Sequence, residues 1–133
     1  MKMQESAENY LETILVLKQK NGLVRAIDIA NALSFTKPSV SVAMKKLQEN
    51  GYIRRDAEGY IELTDSGMAE AQRVYERHRV LSDCLIALGV TESTAKEDAC
   101  RIEHVISCES FEKLKKHYAE GVKKNKEKSR AGE

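Results

Sequence analysis

Tryptophan is absent from these 133 residues, proline occurs once, glycine seven times, and aromatic residues make up 5%. So little glycine and proline excludes collagen-like and low-complexity classes, and a hydrophobic share of 41% excludes a wholly disordered chain. Long apolar runs are also missing. The longest near the N-terminus is Thr13 to Leu17, too short for a signal peptide or a membrane span. Cysteine is scarce (Cys84, Cys100 and Cys108) and forms no C-x-x-C pair, so no disulfide framework is expected and the chain reads as cytoplasmic. At this length one hydrophobic core can form without a disulfide or metal staple.

What is present is charge, 32% of residues, with a net of only +1. Its distribution is uneven. Lys and Arg number nine against seven Asp and Glu over residues 1–60, five against eleven over 61–112, and eight against three over 113–133. A basic-leaning start before an acidic middle suits a polyanion-binding part followed by a cation-binding part.

Hydrophobic periodicity predicts a mostly α-helical chain. A first helix is expected from Gln4 to Lys20, with Ala7, Leu11, Ile14 and Leu15 on one face and Glu5, Glu8, Asn9 and Glu12 on others; Asn21-Gly22 stops it. A short helix follows over Ala26 to Leu33. A third, with Pro38 in its first turn, runs to Asn50 and ends at Gly51. Tyr52-Ile53 and Tyr60 to Thr64 are strand-like around the turn Asp56 to Gly59. Thr64-Asp65 offers a cap to a long fourth helix ending near Leu88-Gly89. Helices over Glu92 to Ile106 and Glu109 to Glu120 complete the reading, with Ser107 capping or kinking between them and a frayed Lys-rich tail after residue 120. The expected division is 1–64, 65–120 and a flexible tail over 121–133.

Helix, three-residue turn, helix and hairpin is the outline of a winged helix-turn-helix. Ile29, Leu33, Phe35, Val40 and Ala43 occupy the positions where two crossing helices bury side chains. The second helix of such a pair enters the major groove of DNA. Lys37, Ser39, Ser41 and Val42 are then the base-edge candidates, and Lys45, Lys46, Arg54 and Arg55 the phosphate contacts. An ordinary three-helix core with a hairpin is the plainer alternative.

The second half carries donors. Cys100, Glu103 and His104 at i, i+3 and i+4 share one helix face, opposite the apolar stripe Ala95, Ala99, Ile102 and Ile106. Thiolate, carboxylate and imidazole together suit a transition metal. His78 lies on the stripe Val74, His78, Leu81, Leu85 and Leu88, while Asn9 and Glu12 flank the apolar face of the first helix. Taken alone, His78 reads as a core histidine and Glu12 as a solvated charge. Together the three segments offer six donors, enough for one octahedral ion or a close pair.

With these residues assembled, the sequence resembles the diphtheria toxin repressor family of metal-dependent transcriptional repressors. The resemblance is carried by Glu8-Asn9-Tyr10-Leu11-Glu12-Thr13-Ile14, Asp28-Ile29-Ala30, Pro38-Ser39-Val40-Ser41, Leu63-Thr64 with Gly67, and His78-Arg79. Its most specific stretch is Asp98-Ala99-Cys100-Arg101-Ile102-Glu103-His104 with Ile106-Ser107, and it extends to about residue 118. It implies a winged helix joined to a helical metal-binding and dimerisation domain, in the length of the shorter, manganese-responsive branch. It also implies Glu103, His104 and His78 as ligands shared by both branches, and Glu12 as a carboxylate ligand of the manganese branch. Cys100 stands where the iron branch has cysteine; Asn9 matches neither branch. The other acidic and histidine residues of the iron branch's second site are absent by this resemblance, with Ser82 and Lys96 at the corresponding places.

The implied mechanism is a divalent ion relieving acidic crowding and clamping helices, so that a homodimer presents two recognition helices to a pseudo-palindromic operator. Fe(II) is the expected co-repressor, Mn(II) the next, and Co(II) or Zn(II) substitutes; metal-uptake genes are the expected targets. Two rivals remain. A winged-helix regulator could sense thiol oxidation at Cys100 or Cys108, which cannot bridge each other within one straight helix because eight residues span about 12 Å. A small metalloenzyme would need an open coordination position and acid/base groups, and no cleft signal or phosphate loop accompanies the donors.

Overall fold

The computed structural model describes residues 5–131. Its elements run α1 (Glu5–Asn21), α2 (Ala26–Leu33), α3 (Lys37–Glu49), β1 (Ile53–Arg55), β2 (Ile61–Leu63), α4 (Asp65–Ala87), α5 (Glu92–Ile102) and α6 (Cys108–Ala131). The chain divides into two units, residues 1–75 and 76–133, the division falling inside α4.

In the first unit, three helices and a hairpin share one core. Leu11, Ile14 and Leu15 of α1 recur at i, i+3 and i+4, and Val40, Met44 and Leu47 of α3 at i, i+4 and i+7; all are buried with Ile29 and Ala30 of α2. Each fully buried large aliphatic side chain here contributes about 1.5–3 kcal/mol. Thr36 caps α3, its Oγ1 accepting from Ser39 N at 3.3 Å, and Pro38 lies in the first turn as expected. Phe35 departs from expectation. It is 46% exposed and meets Tyr10 edge-on, just after Ser34, which takes a left-handed conformation (φ 57°) at the end of α2.

β1 and β2 pair antiparallel, with Ile53 opposite Leu63 facing the core and Arg54 opposite Glu62 facing out. Ile61 N also donates to Val24 O at 2.7 Å, which ties the hairpin to the segment before α2. Asp56 Oδ1 accepts from Glu58 N and Tyr60 N, both at 2.9 Å, and Gly59 supplies the positive φ the turn needs. Thr64 starts α4: its Oγ1 donates to Gly51 O at 2.6 Å and accepts from Gly67 N at 3.2 Å. Gly67 is buried, and a Cβ there would stand 1.9 Å from Tyr52 O, so only glycine lets the helix approach the strand this closely.

Glu8 carries a buried charge in α1. Placed by its spacing off the apolar face of α1, it is 7% exposed and ion-paired with Arg73, which also bonds Glu70 at 2.9 Å. Burial alone would lower the Arg73 pKa, but the two carboxylates outweigh it and raise it.

The second unit holds the rest of α4, with α5 and α6. Ala95 and Ala99 bury the apolar stripe of α5, and Leu81 that of α4, but Leu88, past the end of α4, is 81% exposed. α5 stops at Ile102, not at Ile106. The carbonyls of Glu103 and Ile106 are taken by Arg77 at 3.2 and 2.9 Å, and Ser107 Oγ accepts from Ser110 N at 3.1 Å to cap a new helix. Cys100 and Cys108 therefore belong to different helices, and the straight-helix separation expected for them does not apply. α6 then continues to Ala131, past the expected end at Glu120, since its later residues are mostly Lys, Glu, Arg and Ala, all good helix formers. Gln4, the expected first residue of α1, and residues 132–133 of the expected tail lie outside the described residues.

Candidate metal centre and nucleic-acid interface

α3 presents Lys37, Ser39, Ser41, Val42, Lys45 and Lys46 as exposed side chains, while Val40, Met44 and Leu47 hold the opposite face in the core. The exposed apolar Val42, at 57%, sits among lysines and hydroxyls. Ser39 also serves the start of the helix, where its Oγ accepts from Thr36 Oγ1 at 2.8 Å. Arg54 and Arg55 are exposed on β1, and Arg55 Nε donates to Gln48 Oε1 of α3 at 3.0 Å, linking hairpin to helix. Arg25 stacks its guanidinium over Tyr60, 4.3 Å from the ring centre, a contact no sequence pattern announced.

The acidic half concentrates its donors at one place in the second unit. Glu103, the residue capping α5, is fully buried. Its Oε2 lies 3.0 Å from His78 Nδ1 of α4, and its Oε1 lies 3.4 Å from Nε2 of its neighbour His104, whose side chain is 3% exposed. Oε1 is buried and accepts no hydrogen bond among the described residues. A desolvated carboxylate with an unsatisfied oxygen is costly unless a cation or donor completes it. Two imidazole nitrogens beside that carboxylate form a donor set suited to a first-row divalent metal, so the residues fit such an ion.

Cys100 is exposed on α5, so the shared face expected for Cys100, Glu103 and His104 is divided: two members are buried and one is at the surface. Asn9 and Glu12 are half-buried on α1, in the first unit. Ser82, one turn after His78, is buried with no hydrogen bond to its Oγ among the described residues. Arg77 was not singled out from sequence. It is 6% exposed, donates to Glu103 O, Ile106 O and Cys108 Sγ, and lies over Phe111. Nothing in a single sequence marks it beyond its place next to His78.

A DNA-facing helix-turn-helix with a wing, followed by a helical unit holding a buried carboxylate between two histidines, defines a metal-responsive DNA-binding regulator. Residues 2–62 match the iron dependent repressor N-terminal DNA binding domain, and residues 64–125 match the iron dependent repressor metal binding and dimerisation domain. The chain belongs to this family, whose members are transcriptional regulators and not enzymes. It is 36% identical over 115 residues to an uncharacterized HTH-type transcriptional regulator of Methanocaldococcus jannaschii, covering 85% of this chain and 92% of that protein. It is 33% identical over 109 residues to the HTH-type transcriptional regulator MntR of Geobacillus kaustophilus, covering 82% of this chain and 77% of that protein. The structure of the manganese regulator SloR superposes with a TM-score of 0.75 and 28% identity over 90% of this chain; the chain spans 55% of that one.

The winged helix-turn-helix and helical metal-binding unit expected from the sequence are thus what the fold and the family show. No helix among the described residues is long and apolar enough to cross a membrane.

Proposed function

We propose that this chain is a cytoplasmic, homodimeric repressor whose operator binding is switched on by a divalent transition metal held at His78, Glu103 and His104. The observation that carries the metal reading is the fully buried Glu103 carboxylate, with Oε1 orphaned 3.4 Å from His104 Nε2. A bound divalent ion supplies the positive charge that this carboxylate lacks. Glu12, Asn9 and Cys100 are the further donors of the proposed set, with Asn9 the weakest ligand because a neutral amide replaces a charged or softer group.

The chain's own residues supply the rest. His78 and His104 must offer deprotonated nitrogens and Glu103 an ionised carboxylate, so loading is coupled to proton release. On the DNA side, Lys45, Lys46, Arg54 and Arg55 neutralise phosphates, whereas Lys37, Ser39, Ser41 and Val42 reach base edges. Two-fold symmetry of the dimer calls for a pseudo-palindromic operator with two half-sites. Metal and operator then raise each other's affinity by the same factor. Genes for metal uptake are the proposed targets.

Fe(II) is the proposed co-repressor, because a Cys100 thiolate softens the ligand set. Mn(II) is the second reading. It is favoured by the carboxylate and imidazole donors of the buried cluster, and by the family likeness to manganese regulators. DNA-binding anisotropy under anaerobic conditions, across buffered free-metal concentrations, separates these readings. Activation by Mn(II) and not by Fe(II) selects the second. Binding that persists unchanged in chelator overturns metal switching and leaves thiol oxidation, tested by repeating the titration with and without reductant.

A further inference from the structure

Arg77 immediately precedes His78 on α4 and is 6% exposed. Burying a guanidinium is unfavourable unless its donors are used. Nη1 donates to Glu103 O at 3.2 Å and to Ile106 O at 2.9 Å, Nη2 donates to Cys108 Sγ at 3.3 Å, and the cation lies 5.4 Å from the centre of the buried Phe111 ring. Both carbonyls belong to the stretch where α5 has ended and α6 has not begun, so helix geometry does not hold them.

Consecutive residues of α4 thus hold two ends of one residue. Arg77 grips the main chain of Glu103, and His78 meets its carboxylate at 3.0 Å. Successive helical side chains diverge by about 100°, which lets the pair straddle the turn.

We infer that Arg77 is a positioning residue for the metal centre, holding Glu103 through its backbone and so setting the affinity and coordination geometry of the cluster. This rests on the reading of His78, Glu103 and His104 as metal ligands. A ligand on a turn rotates with its backbone, and a site loosened by even about half an ångström loses its preorganisation. The plain electrostatic expectation has the opposite sign. A cation beside a cation site weakens it, so removing Arg77 would tighten metal binding if charge were its only effect.

The test is anaerobic Co(II) titration of the purified full-length protein. Affinity is read by chelator competition and geometry by the visible ligand-field spectrum, with thermal unfolding of the metal-free proteins as a control. Arg77→Met should weaken Co(II) binding about 10–100-fold and shift the spectrum. Arg77→Lys should also weaken it, because an ammonium keeps the charge but lacks the planar fork that serves two carbonyls and a thiol. The lysine variant decides the matter alone if the methionine variant does not fold. Unchanged or tighter Co(II) binding with an unchanged spectrum overturns the inference, even if the unfolding temperature drops, since that is a purely structural role. Glu103→Gln separates the two layers. If wild type binds Co(II) no better than this variant, the metal centre itself is wrong; if wild type binds well and the Arg77 variants match it, only the positioning role is wrong.

Discussion

His78 Nδ1 stands 3.0 Å from Oε2 of Glu103, a carboxylate with no exposed surface, joining the middle of α4 to the end of α5. The contact rests on one buried charge.

Glu103→Gln keeps the volume and removes that charge. The metal-free variant should keep its unfolding free energy to within about 2 kcal/mol, because the saved desolvation of the carboxylate offsets the weaker contact that a neutral amide makes with His78. It should also lose metal-induced stabilisation, which for wild type reaches about 2.7 kcal/mol at a hundredfold excess of metal over Kd. Denaturation with and without Mn(II) or Co(II) checks both. Equal stabilisation of wild type and variant would remove Glu103 from the ligand set.

Gly67→Ala should destabilise the first unit by about 3 kcal/mol or more, because the added methyl group would meet the Tyr52 carbonyl oxygen at 1.9 Å. Urea unfolding measures this. A loss under about 1 kcal/mol would mean that α4 and the strand separate more easily than their packing indicates.

Lys45→Ala should weaken binding to specific and random duplexes alike and reduce the salt dependence by about one phosphate contact. Val42→Ala should instead change the preferred sequence, since its exposed methyl groups can meet thymine. Ser39→Ala should do so too, while Thr36 Oγ1 continues to accept from the backbone N–H at position 39. Salt-series anisotropy on an operator and a scrambled duplex distinguishes the roles. A Lys45→Ala variant with altered specificity and an unaltered salt slope would reverse them.

Thiol alkylation should be ordered. Burial, and then the negative charge of Asp83, push the Cys84 thiol up from its usual range, whereas Cys100 and Cys108 are exposed. A raised pKa means less thiolate at about pH 8 and slower reaction, with the Cys84 rate still rising above the pH at which an ordinary thiol levels off. Iodoacetamide labelling followed by peptide mass spectrometry across roughly pH 7–10 reads the order directly. Cys84 reacting first would contradict it.

Local chemistry is legible in this sequence wherever it is self-contained. Ala26–Leu33 follows from its own periodicity, α3 from Pro38 and the stop at Gly51, and the wing from Asp56 to Gly59 between two apolar pairs. The buried pairing of Glu103 with His104 is foreshadowed by adjacency, and His78 by its place on an apolar stripe. Tertiary structure decided what depends on partners distant in the chain. Glu8 is buried because Arg73, 65 residues on, pairs with it, and no helical period reveals that. Past the end of α5 at Ile102, the carbonyls of Glu103 and Ile106 bond to Arg77, 26 and 29 residues earlier in the chain. Cys100 is exposed while the side chains of Glu103 and His104 are buried, a division that a spacing of i, i+3 and i+4 does not register, because burial is set by what packs against the helix and not by the helix itself.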